Sequence, residues 1–234
     1  MAKRLWKEEW KTFGNVFDQF TERNIFKLSS QEYIDELQSP LHIGKEANVF
    51  SAIRGKNKRV VKIYRLSTCD FNRMYDYLKY DPRFPSMNRN RRKIIFSWAK
   101  REFRNLMKAR DAGVRVPTPY TILSNILVME FIGDEQAAPM LKDRHPEDPE
   151  KFLKDIITQM RKLHKAGMVH GDLSSFNILN HNEKPVFIDM SQSTPLENTF
   201  AKEYLDRDIR NVCRFFKKIG LDCSEKEIKE KITK

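Results

Sequence analysis

Three polar residues in the carboxyl-terminal half of the chain have the types and the spacing that phosphoryl transfer requires. Asp172 and Asn177 stand five positions apart in the loop 170–177, and Asp189 directly follows the apolar run 186–188. Phosphoryl transfer needs an acceptor for the proton of the attacking hydroxyl group and oxygen ligands for Mg²⁺. The spacing matches a kinase catalytic loop, so we expect Asp172 to accept the proton and Asn177 and Asp189 to bind the metal.

A cation for the nucleotide phosphates should lie upstream of this loop, on a strand. Residues 58–64 form a short β-branched run with Lys62 inside it. Alternation along the strand places Lys62 on the face opposite Val61 and Ile63. Its ammonium group is therefore expected to be partly buried and to need a carboxylate partner.

The carboxylate partner is expected on a helix over residues 97–112, which ends at the glycine that follows. The apolar stripe of this helix consists of Trp98, Ala99, Phe103, Leu106, Met107 and Ala109. Glu102 lies four residues from both Trp98 and Leu106 and so falls on the stripe. We expect a buried ion pair between Glu102 and Lys62, and a surface position at the edge of the stripe is the alternative.

Residues 44–50 stand where kinases carry a glycine-rich phosphate loop, but this segment has a single glycine. Backbone amides approach phosphates most easily where no Cβ intervenes, so Ala47 and Asn48 predict a stiffer and less closely fitting loop. Taken alone, the segment fits an ordinary hairpin equally well.

Together, these segments resemble the RIO kinases, a family of atypical serine/threonine protein kinases and ATPases. The resemblance is carried by residues 44–50, 170–174 and 188–193, and it extends over about residues 28–220. The sequence Ser-Gln-Ser at 191–193 resembles the type 1 subfamily, and the compact chain indicates an archaeal member. The segment before residue 44 is too short for the winged-helix domain that the type 2 subfamily usually has.

The resemblance implies an α+β, bilobal protein-kinase-like fold. It implies a helical extension over residues 1–40, an N-terminal β-sheet lobe with a helix over 41–132, and a mainly helical C-terminal lobe over 133–234. A flexible basic loop is expected at about residues 80–93. Asp189 is not followed by Phe-Gly and no Ala-Pro-Glu sequence occurs, so the second lobe should lack an activation segment and peptide-docking helices.

The resemblance also implies an ATP-dependent serine/threonine protein kinase, an ATPase, or both, using Mg²⁺ or Mn²⁺. In the family, the residue matching Asp189 accepts phosphate itself and forms an aspartyl phosphate, a form of covalent catalysis. Ser86 is the expected autophosphorylation site in the flexible loop. A strand pair over 120–123 and 126–132 should lead into the hinge beside the adenine. The implied nucleotide contacts are Gly44, Lys45, Glu46, Val49, Lys62, Glu102, Met129, Glu130 and Ile132.

Two other functions remain open. Small-molecule phosphotransferases share the His-Gly-Asp-Leu motif, and only the segments 44–50, 70–93 and 191–193 favour the RIO kinases over them. A nucleotide-gated ribosome-assembly factor with little turnover is the other alternative. The intact set of Lys62, Glu102, Asp172, Asn177 and Asp189 favours turnover.

The positive charge of the chain is concentrated in one segment. The net charge is +12, and residues 79–110 contain eleven basic residues against Asp81 and Glu102. Phosphate backbones attract such segments through counterion release. Ribosomal RNA is therefore a reasonable partner, since RIO kinases act on precursors of the small ribosomal subunit. The alternative is a solvated basic loop that only keeps the protein soluble.

Composition and local patterns complete the prediction. The chain has 234 residues, of which 40% are hydrophobic, and no run of 18 apolar residues, so we expect a soluble, cytoplasmic protein of two lobes. Asp148 and Pro149 should start a helix whose core stripe is Phe152, Ile156, Met160 and Leu163. His170 is expected to be structural. Asp208 is expected either to brace the catalytic loop or to form a surface salt bridge.

Overall fold

The structure is a computed structural model that describes residues 17–84 and 89–234. Ser86, the expected autophosphorylation site, lies outside the described residues. Within the described ranges every helix is too short or too polar to span a lipid bilayer.

An antiparallel sheet forms the first lobe and places Lys62 beside the predicted phosphate loop. Its strand order is β1-β2-β3-β5-β4, with β1 Glu36–Ile43, β2 Ala47–Arg54, β3 Asn57–Tyr64, β4 Pro119–Leu123 and β5 Ile126–Glu130. Lys62 on β3 pairs with Val49 on one side and with Leu127 on the other. β1 begins at Glu36, inside the segment 1–40 that the sequence assigned to the helical extension.

Three helices accompany this sheet, and each begins at a polar residue whose side chain accepts a backbone N–H. They are α1 Gln19–Ser30 after Asp18, α2 Phe71–Lys79 after Asp70, and α3 Arg91–Asp111 after Asn90. The predicted end of α3 before Gly113 is confirmed. Its predicted start at residue 97 is wrong, because Asn90 caps the helix and the buried Ile94 and Ile95 extend its apolar face toward the N-terminus.

The flexible loop predicted at residues 80–93 is wrong at both of its ends. Asp81 is 2% exposed, and its carboxylate binds the guanidinium groups of Arg83 at 2.7 Å and Arg101 at 3.1 Å. At the other end, residues 91–93 belong to α3. A count of charges treats Asp81 as one acid among many basic residues, whereas the fold buries it against two arginines.

The second lobe packs helices around two short strand pairs, and the catalytic loop connects one pair to the other. Its elements are α4 Pro149–Lys165, β6 Met168–Val169, β7 Ile178–His181, β8 Lys184–Phe187, a 3₁₀ turn Met190–Gln192, β9 Thr194–Pro195, α5 Ala201–Lys218 and α6 Glu225–Thr233. β7 pairs with β8, and β6 pairs with β9. Asp148 caps α4 as predicted, and the predicted core stripe of that helix is buried throughout.

Candidate active site

Lys62 stands between two carboxylates at the junction of the lobes. Its Nζ lies 2.9 Å from Oε1 of Glu102 on α3 and 3.0 Å from Oδ1 of Asp189, which follows β8. Lys62 is 7% exposed and Glu102 is 1% exposed. The predicted ion pair is therefore present, and it is more deeply buried than expected. The alternative prediction, a surface position for Glu102 at the edge of the apolar stripe, is wrong.

The two carboxylates that share Lys62 differ in their proton affinity. Burial raises the pKa of Glu102, even though Lys62 opposes this effect. Burial alone would also raise the pKa of Asp189, but Lys62 and a 2.7 Å hydrogen bond from Ser191 Oγ lower it to about 2. Against the effect of burial, Asp189 and Glu102 together raise the pKa of Lys62 above its ordinary value. Lys62 and Asp189 are thus both charged at neutral pH.

Tyr64 is a further member of this cluster that the sequence analysis missed. Its hydroxyl group donates a hydrogen bond to Oε2 of Glu102, on the oxygen that Lys62 does not contact. Tyr64 lies two residues after Lys62 and therefore on the same face of β3. Strand alternation was the available signal, because residues two positions apart on a strand share a face.

Asp172 lies in the loop after β6, and neutral donors surround its carboxylate. Oδ2 accepts hydrogen bonds from Nε2 of Gln192 at 3.0 Å and from Nδ2 of Asn177 at 3.3 Å. The same Asn177 nitrogen donates to the backbone carbonyl of Asp172 at 2.8 Å, which closes the loop. Burial and the negative charge of Asp189 raise the pKa of Asp172. Asp172 and Asn177 thus come together as their spacing predicted.

Two buried side chains hold this loop in place. Oδ2 and Oδ1 of Asp208 accept the backbone N–H groups of Gly171 and Leu173, each at 2.7 Å. Asp208 is 0% exposed, so it braces the catalytic loop and is not part of a surface salt bridge. His170 bonds the carbonyl of Ile188 at 3.1 Å, and burial lowers its pKa to about 4. His170 is therefore neutral and structural, as predicted.

Gly171 is required by the close approach of two loops. Its φ is +81°, and a Cβ at this position would lie 2.8 Å from the carbonyl oxygen of Gln192. A side chain would meet backbone there, which cannot move aside as a flexible side chain can. The arginine that protein kinases carry at this position would not fit.

The turn that contains Gln192 is attached to α3 by two buried residues that the sequence analysis did not identify as part of the site. Nδ2 of Asn105 donates to the carbonyls of Met190 at 2.7 Å and Ser193 at 2.8 Å. Arg101 donates to the Ser193 carbonyl at 3.1 Å. The two residues are four positions apart on α3, which is the spacing of one helix face. Polar residues at that spacing usually indicate a solvated face, so the sequence carried no clear signal of their burial.

A cavity of about 790 Å³ lies between the lobes. It is lined by all nine predicted nucleotide contacts and both predicted metal ligands, namely Gly44, Lys45, Glu46, Val49, Lys62, Glu102, Met129, Glu130, Ile132, Asn177 and Asp189. At the hinge, the N–H of Glu130 donates to Thr118 and the carbonyl of Ile132 accepts from Ala138. Glu130 and Ile132 both line the cavity at this hinge.

The fold and the site define a bilobal kinase with a strand lysine, a helix glutamate and an acidic catalytic loop. The model of the RIO domain matches residues 48–229. The RIO-type serine/threonine-protein kinase Rio1 of Methanocaldococcus jannaschii is 42% identical over 233 residues, which cover 99% of this chain and 80% of that protein. The enzyme of the same name from Haloferax volcanii is 40% identical over 228 residues, which cover 97% of this chain and 79% of its own length.

The chain belongs to the RIO family. It is a serine/threonine kinase of the type 1 subfamily, as its Ser-Gln-Ser sequence at 191–193 indicated. Human serine/threonine-protein kinase RIO1 is 35% identical over 217 residues, which cover 90% of this chain but only 38% of the human protein.

Solved structures support the fold assignment. A crystal structure of the Rio2 kinase–ADP/Mg²⁺–phosphoaspartate complex from Chaetomium thermophilum superposes with a TM-score of 0.69 at 23% identity, covering 90% of this chain and 65% of that one. A second structure of the same Rio2 kinase gives a TM-score of 0.70 at 21% identity, covering 90% and 67%. The predicted α+β bilobal RIO fold is confirmed.

Proposed function

We propose that this kinase transfers the γ-phosphate of ATP to serine or threonine hydroxyl groups and also hydrolyses ATP. The observation that carries the proposal is the meeting of Lys62 from the first lobe with Asp189 from the second, 3.0 Å apart on the wall of one cavity. Asn177 lines the same cavity, and Asp172 lies directly behind it. A cation for phosphates, an ionised acid and a proton acceptor thus stand in one place.

Nucleotide binding follows from the walls of this cavity. The backbone at Glu130 and Ile132 is placed to contact the adenine edge, with Met129 behind it. The segment 44–50 and Lys62 are placed to contact the phosphates, since Gly44, Lys45 and Glu46 line the cavity next to Lys62. We therefore assign the whole predicted set of contacts to ATP.

Asn177 and Asp189 are suited to hold Mg²⁺. The amide nitrogen of Asn177 is directed at Asp172, so its oxygen is the atom available to a cation, and Asp189 is ionised. The residues described contain no cluster of three or more His, Cys, Asp or Glu side chains placed for a metal. Two protein ligands fit Mg²⁺, which usually completes its shell with water and substrate phosphates. When bound, the ion would neutralise charge on those phosphates. No observation favours Mn²⁺.

Asp172 is proposed to accept the proton of the attacking hydroxyl group. Its raised pKa makes it a better base than an ordinary exposed carboxylate. The carboxylate accepts from Asn177 and Gln192, so its position is fixed before a substrate arrives.

Asp189 is proposed to form an aspartyl phosphate during ATP hydrolysis. In this step a carboxylate oxygen would bond the γ-phosphorus while the bond from that phosphorus to the bridging oxygen breaks and ADP leaves; water would then cleave the acyl phosphate. Oδ1 is engaged by Lys62 and Ser191, which leaves Oδ2 for attack. Acid-quenched protein from γ-labelled ATP should retain hydroxylamine-sensitive label. Label that persists in Asp189→Asn would contradict this step.

A role in maturation of the small ribosomal subunit is proposed from the surface of α3. Seven basic residues on this helix are exposed: Arg91, Arg92, Lys93, Lys100, Arg104, Lys108 and Arg110. Arg101 is not part of this surface, because it is buried against Asp81. Exposed cations along one helix suit the phosphates of ribosomal RNA. Charge substitutions at Arg104 and Lys108 should weaken binding to the precursor subunit and flatten its dependence on salt.

A nucleotide-gated assembly factor with little turnover is the second candidate. It is favoured by the position of Asp172. This residue does not line the cavity, and Gln192 covers one of its carboxylate oxygens. The deciding experiment compares ATP turnover by wild type and Asp172→Ala, with and without the precursor of the small subunit. We expect turnover in the wild type and its loss in Asp172→Ala. Absence of turnover in both conditions would favour the assembly factor.

Autophosphorylation of Ser86 remains a prediction. Mass spectrometry after incubation with ATP and Mg²⁺ should find phosphate on Ser86, and its absence there would contradict the prediction.

A further inference from the structure

Gln192 makes contacts beyond its hydrogen bond to Asp172 that the roles assigned above do not explain. It is 8% exposed and lies on the 3₁₀ turn after Asp189. Its Nε2 donates to Asp172 at 3.0 Å, while its Oε1 accepts from the hydroxyl of Tyr77 at 2.7 Å and faces a guanidinium nitrogen of Arg73 at 3.5 Å. Tyr77 and Arg73 both lie on α2, in the segment between Lys62 and Glu102. One side chain thus joins the expected base to a helix of the other lobe.

The chemistry of the neighbours fixes the orientation of this amide. An ionised carboxylate only accepts hydrogen bonds and a guanidinium only donates them. The nitrogen of Gln192 must therefore face Asp172, and its oxygen must face Arg73 and Tyr77. A rotation of the amide by 180° would place oxygen against oxygen at Asp172 and nitrogen against nitrogen at Arg73.

The backbone of Gln192 is held as firmly as its side chain. Arg101 and Asn105 on α3 bind the carbonyls of the flanking residues Ser193 and Met190, and Ser193 Oγ donates to the carbonyl of His170 at 3.0 Å. The Gln192 carbonyl lies so close to Gly171 that no side chain fits between them. Gln192 therefore cannot shift away from Asp172 without disturbing the catalytic loop and α3.

Helix α2 reaches the second lobe beside this contact. The rings of Tyr77 and Tyr204 have centroids 5.6 Å apart, and those of Tyr80 and Phe200 are 5.5 Å apart. These aromatic contacts hold the hydroxyl of Tyr77 over Gln192.

We propose that Gln192 is a positioning residue that holds the carboxylate of Asp172 for proton transfer, and that Tyr77 on α2 fixes the orientation of Gln192. The inference rests on the proposed role of Asp172. Through this chain of contacts, Tyr77 influences proton transfer by way of Gln192, whereas residues of α2 that do not contact Gln192 have no part in it.

The test compares Gln192→Ala, Tyr77→Phe and the double variant with wild type, measuring kcat and KM for ATP separately. Gln192→Ala should lower kcat by about tenfold to a hundredfold, because a misplaced base loses most of its effect. KM for ATP should stay within about twofold, since Gln192 does not line the cavity. Tyr77→Phe should lower kcat by about threefold to tenfold. The double variant should match Gln192→Ala if the hydroxyl of Tyr77, which also hydrogen-bonds Tyr204 and Arg207, acts on kcat through Gln192.

Control measurements distinguish a fall in kcat caused by a misplaced Asp172 from one caused by unfolding of the variant. Tyr75→Phe removes a hydroxyl from the same helix at a residue that stacks under Arg89 and makes no contact with Gln192. It should leave kcat unchanged. Thermal melting should place all variants within a few degrees of wild type. If Gln192→Ala melts at a much lower temperature than wild type, Gln192→Glu is the deciding variant. It keeps the size of the side chain but replaces the donor with a carboxylate facing Asp172. Its kcat should fall at least as much as the tenfold expected for Gln192→Ala.

Several results would overturn the inference while leaving the proposed function intact. A kcat for folded Gln192→Ala within twofold of wild type, or above it, would show that Gln192 does not assist Asp172. Effects of Gln192→Ala and Tyr77→Phe that multiply in the double variant would show that Tyr77 acts elsewhere. A wild type without any ATP turnover would contradict the proposed function and this inference together.

Discussion

The two sides of the cleft hold their acidic groups by different means. On the lysine side, Glu102 and Asp189 share the buried ammonium group of Lys62. On the base side, Asp172 accepts from neutral side-chain amides and Asp208 accepts from two backbone N–H groups. The cation lowers the pKa of Asp189 to about 2, whereas burial raises the pKa of Asp172 and raises that of Asp208 to about 7.

This difference explains how one fold could keep two nearby aspartates in the different roles that we propose for them. An acid beside a lysine stays ionised and suits a metal ion or a phosphorus atom. An acid held by neutral donors keeps a higher proton affinity and suits proton transfer. The comparison predicts that the loss of a charge affects the lysine side most. The loss of a hydrogen bond that holds an acid in place, or the gain of a charge, should affect the base side most.

Lys62→Met should have the largest effect on turnover. It removes the cation shared by Glu102 and Asp189 and, in the proposed function, the contact to the phosphates. We expect ATP turnover to fall by about a thousandfold. Lys58→Met on the same strand is the matched control, because Lys58 is exposed and lies outside the cavity. Equal turnover in the two variants would contradict the role of Lys62.

The neutral His170 should make the base side sensitive to acid. Its pKa is about 4 in the folded protein against an ordinary value near 6.5, so the unfolded chain binds a proton first as pH falls. The stability that neutral His170 contributes is fully present above about pH 6.5 and is lost as pH falls toward about 4, by up to about 3 kcal/mol.

Urea unfolding at pH 7 and at pH 4.5 should show this loss in wild type and a smaller one in His170→Gln. Other groups titrate in the same range, so the difference between the two proteins is the quantity that matters. An equal loss in both would show that His170 does not cause the acid sensitivity.

Gly171→Ala should destabilise the base side by about 2 kcal/mol, through a positive φ and a contact with the Gln192 carbonyl. Gly55→Ala is the matched control. Its φ is +58°, but an added Cβ meets nothing within 4 Å, so only the conformational cost of about 1 kcal/mol is expected. Denaturant midpoints would measure both. A larger loss in Gly55→Ala would contradict the close approach at Gly171.

Tyr64→Phe should have the smallest effect, about 1.5 kcal/mol, because it removes one hydrogen bond to Glu102 and leaves Lys62 in place. Tyr120→Phe, on an exposed ring of the same sheet, is the control and should change stability little. Urea unfolding measures both variants. A loss of stability for Tyr64→Phe as large as that of Lys62→Met, measured by the same urea unfolding, would mean that the lysine side does not depend mainly on its cation.

Periodicity explains what could be predicted from the sequence. Strand alternation predicted the face on which Lys62 lies, and helix spacing predicted the face on which Glu102 lies. These two predictions were enough to predict the ion pair between the two residues. Asp172 and Asn177 were predicted because a catalytic loop fixes their spacing, and Asp189 was predicted because it follows an apolar run. The buried stripe of α4 followed from the same rule of spacing.

Pairs between polar residues that are distant in sequence could not be predicted in this way. Asp81 and Arg101 lie in the basic segment 79–110, whose charge indicated an exposed surface, yet they form a fully buried ion pair. Gln192 lies in a motif that served only to distinguish subfamilies, and its contact with Asp172 depends on how the two loops meet. Such contacts arise from tertiary packing and leave no periodic signal.

The absence of a side chain at position 171 has a consequence for regulation. In many kinases an arginine–phosphate pair orders a mobile segment when that segment is phosphorylated. Here the Gln192 carbonyl occupies the space where a receiving arginine would start. The loop that carries Asp172 is instead held by hydrogen bonds to Asp208 and Gln192. We therefore expect the output of this kinase to depend on the supply of ATP and access of its substrate, and not on a phosphate added beside the loop.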